Sequence, residues 1–199
     1  MARARWRQRD AVDPTTPITV DELRAMSSSL PPTIGGLRDR AALLVGYGAA
    51  LRPGELVGLQ MTDVVVGPTG LRVAAARGVV HVPFGSEPML CSVTACDEWR
   101  RAAGIVDGPL LRAVDRSGRV ASTALGEKAV GRIVRRAATG AGLPPERFTG
   151  LSLRRGMVAA AAAAGSSRRT IMRQTGHRSE RLVRDYVATG SGAHPHDRA

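Results

Sequence analysis

One stretch of the chain, residues 63–83, has the pattern of short β-strands, and stretches with helical spacing lie on both sides of it. Its β-branched runs, residues 63–66, 71–75 and 79–83, are separated by Gly67-Pro68-Thr69-Gly70 and Arg77-Gly78. Both separators are good turn signals, and tight turns join antiparallel neighbours. We therefore predict a small three-stranded antiparallel sheet and no other β region.

The rest of the chain has the apolar spacing of helices. A capping box, Thr19-Val20-Asp21-Glu22, starts the first predicted helix, which ends near Leu30. A second helix is predicted from Leu37 to Ala50, and Pro53 sits where a third can begin. Further helices are predicted over residues 92–103, 125–141, 153–164, 168–175 and 180–187. The predicted fold class is α+β, mostly α-helical, with the small three-stranded sheet.

The length of 199 residues fits one domain of ordinary size, and no internal repeat is present. Residues 1–17 have the composition of a basic, flexible lead-in. Residues 18–188 carry all the periodic segments and are predicted to form the domain. Residues 189–199 are rich in Gly, Ser, His and Pro, and we expect a disordered tail.

The chain is strongly basic, with 29 Lys and Arg against 17 Asp and Glu and a net charge of +12. Such an excess favours a polyanionic partner, because neutralised phosphates release condensed counterions. Lys128 is the single lysine, so nearly all the positive charge comes from arginine. Aromatic residues make up only 3% of the chain, which argues against stacking platforms for single-stranded nucleic acid.

Several other classes of protein are excluded by what the sequence lacks. Cys91 and Cys96 are too few for a disulfide framework or a zinc site, and we expect them to pack in the core. No stretch approaches the ~20 apolar residues of a membrane span, and the start has no apolar segment typical of a secretory signal. We expect a cytoplasmic protein with no metal site.

The residues able to do chemistry lie in two places. Arg154 is predicted at the start of a helix, His177 follows 23 positions later, and Tyr186 nine after that. Far upstream, Arg52 stands at a helix junction, three residues before an acid, Glu55, that can orient it.

In this order and at this spacing, the residues resemble the catalytic domain of the tyrosine recombinase (phage integrase) family, over about residues 18–187. The resemblance implies a site-specific recombinase that cleaves and rejoins DNA strands through a 3′-phosphotyrosine, without metal or other cofactor. Tyr186 would attack the phosphodiester, which keeps the bond energy in the covalent linkage. Arg52 and Arg154 would clamp its two non-bridging oxygens, and His177 would donate a hydrogen bond to it.

The resemblance also implies double-stranded DNA as the partner, bound by a homo-oligomer. Exposed arginines near the site are the expected DNA contacts: Arg155, Arg168, Arg169, Arg173 and Arg178. The family usually adds an N-terminal helical domain that closes around DNA. The short lead-in before residue 18 leaves no room for it, so we expect that half of the clamp to be absent.

The sequence departs from the family pattern at two catalytic positions. The family has His three residues before the second Arg, where this chain has Leu151, and it has Lys on the hairpin of the sheet, where this chain has none. Arg72 or Arg77 can fill the hairpin position, but a guanidinium with a pKa above ~12 is a poor proton donor. His81 is a more remote substitute.

Three hypotheses therefore remain open. The protein is an active recombinase, or it is a catalytically impaired relative that binds DNA. The third is a helix-turn-helix regulator, because Ala161, Gly165 and Ile171 have the spacing of that motif and place arginines toward the groove. That third hypothesis leaves the sheet and the Arg52 segment unexplained.

Overall fold

The computed structural model describes residues 15–76 and 78–176, and it confirms the predicted fold class. The helices are α1 Val20–Ser28, α2 Ile34–Gly48, α3 Pro53–Gly58, α4 Ser92–Ala102, α5 Glu127–Gly140, α6 Leu151–Ala163 and α7 Arg168–Thr175. The strands are β1 Val64–Gly67, β2 Gly70–Ala75, β3 Gly78–Pro83, β4 Arg112–Val114 and β5 Val120–Ala124.

Local hydrogen bonds fix where the helices begin. The capping box of α1 forms as predicted, since the Glu22 amide donates to Thr19 Oγ1 at 3.2 Å and the Thr19 amide donates to Glu22 Oε2 at 2.9 Å. Helix α2 begins three residues earlier than predicted, because Thr33 Oγ1 caps it by accepting from the Gly36 amide. Helix α6 likewise begins at Leu151 rather than at residue 153.

The predicted sheet is confirmed, in the order β1-β2-β3 with antiparallel pairing. Val73 of β2 pairs with Val64 on one side and Val80 on the other, and all three face the core. Because side chains alternate along a strand, the opposite face is exposed and carries Arg72 beside His81. Helix α4 covers the buried face.

The prediction that residues 63–83 form the only β region was wrong. Strands β4 and β5 pair antiparallel in a separate two-stranded sheet. Asp115 organises the turn between them, since its Oδ1 accepts from the Ser117 amide at 2.8 Å and the Arg119 amide at 2.9 Å. These strands are short and largely exposed, so they lack the apolar alternation by which strands are recognised in a sequence.

Residues 15–17, the end of the predicted lead-in, contact residues of the domain. Thr15 is buried, the Thr16 amide donates to the Arg147 carbonyl at 3.1 Å, and Arg155 Nη1 donates to the Thr15 carbonyl at 2.5 Å. Residues 15–17 therefore pack as part of the domain. The rest of the lead-in, the predicted last helix and the tail lie outside the described residues.

The core is built around α2, most of whose residues are buried. Trp99 of α4 is fully buried, and its indole Nε1 donates to the Leu110 carbonyl at 2.8 Å. Cys91 and Cys96 lie in this core, as predicted. Burial raises the pKa of the Cys96 thiol to about 11, which makes it a poor nucleophile at neutral pH. No helix in the described part of the chain is long and apolar enough to span a bilayer.

Candidate active site and nucleic-acid interface

The turn between α2 and α3 places Arg52. Ala50 adopts the left-handed conformation, with φ 49°, and the Leu51 amide donates back to the Gly46 carbonyl at 3.0 Å. This conformation costs a non-glycine residue about 1–2 kcal/mol, so the surrounding contacts must impose it. The chain leaves the turn at Arg52, which precedes α3, with its side chain 53% exposed.

Glu55 orients Arg52, as its position three residues along the chain suggested. Its Oε2 accepts from the Arg52 amide at 2.8 Å, and its Oε1 accepts from Arg52 Nη1 at 3.3 Å. One carboxylate thus holds both the backbone and the guanidinium of Arg52.

Arg154 reaches the same carboxylate from α6. Its side chain is only 3% exposed, and its Nη1 lies 4.0 Å from Glu55 Oε2. Nη1 also donates to the Ala50 carbonyl at 2.6 Å, while Nη2 donates to the Thr175 carbonyl at 2.6 Å. The two arginines selected from the sequence, 102 positions apart in the chain, therefore meet on Glu55.

Arg154 also fixes the end of α7. Thr175 Oγ1 donates to the Ile171 carbonyl at 2.7 Å, and Gly176 ends the helix in the left-handed conformation, with φ 66°. Gln174 Nε2 donates to the Gly48 carbonyl at 3.3 Å. These bonds hold the last described residues of the chain against Arg154. His177, Arg178 and Tyr186 lie outside the described residues.

Leu151 occupies the first position of α6, one turn before Arg154, and its side chain is 40% exposed. Its amide donates to Thr149 Oγ1 at 3.2 Å. The exposed side chain presents methyl groups at the position where the family has an imidazole.

The hairpin between β2 and β3 turns tightly, since Ala75 pairs directly with Gly78. The turn consists of Ala76 and Arg77, and Arg77 lies outside the described residues. His81 Nε2 lies 3.0 Å from Thr69 Oγ1 on the exposed face of the sheet, so its contact is within the sheet.

The basic side chains of the described surface fall into two sets, those with and those without a carboxylate partner. On α1, α2 and α4, arginines pair with carboxylates: Arg24 with Asp21 and Glu87, Arg40 with Glu98, and Arg100 and Arg101 with Asp97. Eight basic side chains form no ion pair with a carboxylate of the described residues: Arg72, Arg116, Lys128, Arg132, Arg135, Arg168, Arg169 and Arg173.

Three of these unpaired cations, Arg168, Arg169 and Arg173, are exposed on α7, where the sequence predicted DNA contacts. Arg155, another predicted contact, is half-buried and bound to the Thr15 carbonyl. The cations of α5 were missed from the sequence. The available signal was the spacing of Lys128, Arg132 and Arg135 around a helix whose opposite face is apolar.

No group of three or more His, Cys, Asp or Glu side chains that could hold a metal ion occurs within residues 15–76 and 78–176. The basic groups around Glu55 suit an anionic ligand instead.

Comparisons with known proteins identify the family and the fold of the chain. The model of the phage integrase family matches residues 17–191. An integrase/recombinase described as a XerD homolog, from Selenomonas ruminantium, is 34% identical over 167 residues, which cover 79% of this chain and 49% of that protein. The chain thus spans about half the length of the curated relative it matches.

Solved structures show the same fold. A XerA recombinase superposes with a TM-score of 0.67 at 19% identity, covering 86% of this chain and 58% of that one. A XerH site-specific recombinase bound to a palindromic difH substrate gives 0.68 at 17% identity, covering 89% and 51%. A lambda integrase dimer bound to a core site gives 0.59 at 18% identity, covering 92% and 61%.

Proposed function

Because the chain belongs to the phage integrase family, we propose that it is a site-specific DNA recombinase that cuts and rejoins strands through a phosphotyrosine. The observation that carries the proposal is the meeting of Arg52 and Arg154 on Glu55. Two guanidinium groups around one carboxylate leave a net positive charge, which suits a phosphodiester. The regulator hypothesis is not retained, because it gives this cluster no role.

The cluster is suited to stabilising a pentacoordinate phosphorane. Each guanidinium has five N–H donors in a planar fork, so it can bind protein carbonyls and phosphate oxygens at the same time. Glu55 and the carbonyls of Ala50 and Thr175 hold the forks in place before DNA arrives. Donors fixed in advance stabilise developing charge most effectively, since they need no reorganisation during the reaction.

In the proposed reaction, the Tyr186 oxygen attacks the phosphorus of the scissile phosphodiester. Tyr186 releases its phenolic proton to water, the bond from phosphorus to the 5′-oxygen breaks, and that oxygen takes up a proton from water and leaves as a 5′-hydroxyl. A second 5′-hydroxyl then attacks the phosphotyrosine, re-forms the phosphodiester and releases Tyr186. His177, one residue past the last described residue, would donate a hydrogen bond to the phosphate.

The exposed Leu151 favours a second candidate, a catalytically impaired relative that binds DNA. Losing a general acid typically costs ~10²–10⁴ in rate. We infer that strand cleavage is slowed at this step, and that the DNA-binding role survives, because the cations of α7 do not depend on Leu151.

Double-stranded DNA is the proposed partner, bound by more than one copy of the chain. The support is the basic surface of this chain together with the relatives whose structures hold DNA. Arg168, Arg169 and Arg173 are the proposed phosphate contacts on α7, and Arg178 continues this set in the sequence. Arg155 is also retained as a proposed contact, although its described hydrogen bond is to Thr15.

The test is covalent trapping on a pool of labelled, nicked duplexes of randomised sequence. A nick close to the cleavage position lets the short fragment diffuse away, so the protein stays attached to DNA and survives denaturing electrophoresis. We expect an adduct that is absent in Tyr186→Phe, and sequencing of the trapped DNA would give the target site. Salt-sensitive binding with no adduct, even for Leu151→His, would contradict strand cleavage and leave the impaired relative.

A further inference from the structure

Helices α5 and α6 touch closely where α6 begins. A methyl group placed on Gly131 would lie 3.7 Å from the Gly150 amide nitrogen. A methyl group on Gly150 would lie 2.8 Å from Pro53 Cγ and 3.3 Å from Val130 Cγ1 of α5. Gly150 is thus enclosed between α5 and the residue that follows Arg52, and Leu151 comes next in the chain.

Arg135 points toward this junction. A methyl group placed on Gly131 would lie 4.0 Å from each terminal nitrogen of Arg135 and 3.7 Å from the Gly150 amide nitrogen. The side chain therefore runs back along α5 by about one turn. Its guanidinium therefore lies near Gly150, which also contacts Pro53, the residue that follows Arg52.

The Arg135 guanidinium is exposed, and no carboxylate in residues 15–76 or 78–176 pairs with it. The next residue, Arg136, differs, because it forms an ion pair with the buried Asp39. Arg136 is therefore bound to Asp39, whereas the Arg135 guanidinium lies near the start of α6 without a carboxylate partner among the described residues.

We propose that Arg135 binds a DNA phosphate at the beginning of α6 and supplies there the hydrogen-bond donors that Leu151 lacks. This inference rests on the proposed function and names a residue for it. A guanidinium can replace the hydrogen bond and the charge of a protonated imidazole. It does not replace proton transfer, because it stays protonated at every working pH. Arg135 thus compensates for Leu151 in charge stabilisation only.

Gly131 is part of this arrangement, because the Arg135 guanidinium lies over it. A methyl group fits there, since 3.7 Å is an ordinary contact distance, but a larger side chain would occupy the space along which Arg135 runs. Gly131→Leu should therefore displace the guanidinium without removing its charge. Arg101→Gln is the matched control, because Arg101 is also an exposed arginine but pairs with Asp97 on α4 at 2.8 Å.

The first measurement is binding to the nicked duplex pool as a function of salt, which does not depend on cleavage. We expect Arg135→Gln to reduce the slope of log K against log salt by about 1, as for one lost phosphate contact. Gly131→Leu should act in the same direction, and Arg101→Gln should leave the slope unchanged. An unchanged slope for Arg135→Gln, in a variant with wild-type melting temperature, would overturn the proposal.

The second measurement is the single-turnover rate of adduct formation at saturating protein. Arg135→Gln should lower it about 10- to 100-fold, the usual effect of one hydrogen bond to a charged group. The loss should be smaller in the Leu151→His background, where an imidazole supplies the donor. Equal losses in both backgrounds would refute the compensation. No adduct from the wild type, with the slope changed as expected, would refute strand cleavage while leaving the phosphate contact standing.

Discussion

Replacing Arg154 by alanine should destabilise the protein much more than the same replacement of Arg52, although both arginines have the same proposed chemical task. The Arg154 guanidinium is buried and donates to the carbonyls of Ala50 and Thr175 at 2.6 Å. It is also the buried counter-charge of Glu55. Removing the guanidinium therefore deprives the carbonyls of Ala50 and Thr175 of a hydrogen-bond donor and Glu55 of its buried counter-charge.

The magnitude follows from these contacts. A buried polar group that loses its partner costs about 1–3 kcal/mol, and a buried ion pair that loses one member costs about 3–5 kcal/mol. We therefore expect Arg154→Ala to lose about 3–5 kcal/mol, a large part of the ~5–15 kcal/mol typical of a domain. Arg52 is half-exposed and pairs with Glu55 at 3.3 Å, so Arg52→Ala should lose at most about 1 kcal/mol.

Urea unfolding followed by far-ultraviolet circular dichroism measures both variants against the wild type. Both should form the covalent adduct more slowly than the wild type, but only Arg154→Ala should show a clearly lower unfolding midpoint. Equal midpoints for the two variants would mean that the bonds from Arg154 to α7 and to the α2–α3 turn do not hold the fold, and the reasoning would be refuted.

Three further predictions concern single side chains. The Tyr47 hydroxyl is buried without a hydrogen-bond partner among the described residues, so Tyr47→Phe should stabilise the protein by about 1 kcal/mol in urea unfolding at neutral pH. Burial also raises the pKa of Tyr47 from 10.0 to about 12. Because the unfolded chain ionises first, stability should fall as the pH rises from 10 to 12, and less so in Tyr47→Phe; an identical fall in both would contradict the burial. Gly156→Ala should destabilise the protein by about 1–3 kcal/mol, because its methyl group would lie 2.1 Å from the Ile18 carbonyl oxygen. Gly131→Ala is the comparison, since a methyl group has room there and alanine favours the helix. Equal shifts of the melting temperature in thermal unfolding would argue against the contact of Gly156 with Ile18. Leu151→His should raise the rate of adduct formation in single-turnover assays, by up to ~10²–10⁴, and an unchanged rate would mean that proton donation does not limit cleavage.

Interactions between residues close in the sequence were predictable. The capping box at Thr19 and the pairing of Arg52 with Glu55 each join residues three apart, and the structure contains both. The three-stranded sheet was also predictable, because its short β-branched runs are separated by turn signals at Gly67–Gly70 and at Gly78. The β4–β5 hairpin was not, since its order comes from hydrogen bonds to Asp115 rather than from an apolar pattern.

Contacts between distant segments could not be read from the sequence. Nothing near Thr15 in the sequence indicates that its carbonyl accepts from Arg155, 140 residues away. The position of Arg135 near the Gly150 amide, on a different segment of the chain, likewise depends on how the chain folds. The sequence placed Arg154 in the site through its spacing, but its bonds to the α2–α3 turn and to α7 required the folded chain.

The central claim is that Arg52 and Arg154 offset the negative charge of one reacting phosphate. The direct measurement is the rate of adduct formation on a nicked duplex whose scissile phosphate is a methylphosphonate, in which a neutral methyl group replaces a charged oxygen. The account predicts that Arg52→Ala loses about 10²–10³ in rate on the ordinary phosphate but little on the methylphosphonate, because one of the negative charges that the two arginines offset is gone. An equal loss on the two substrates would contradict it.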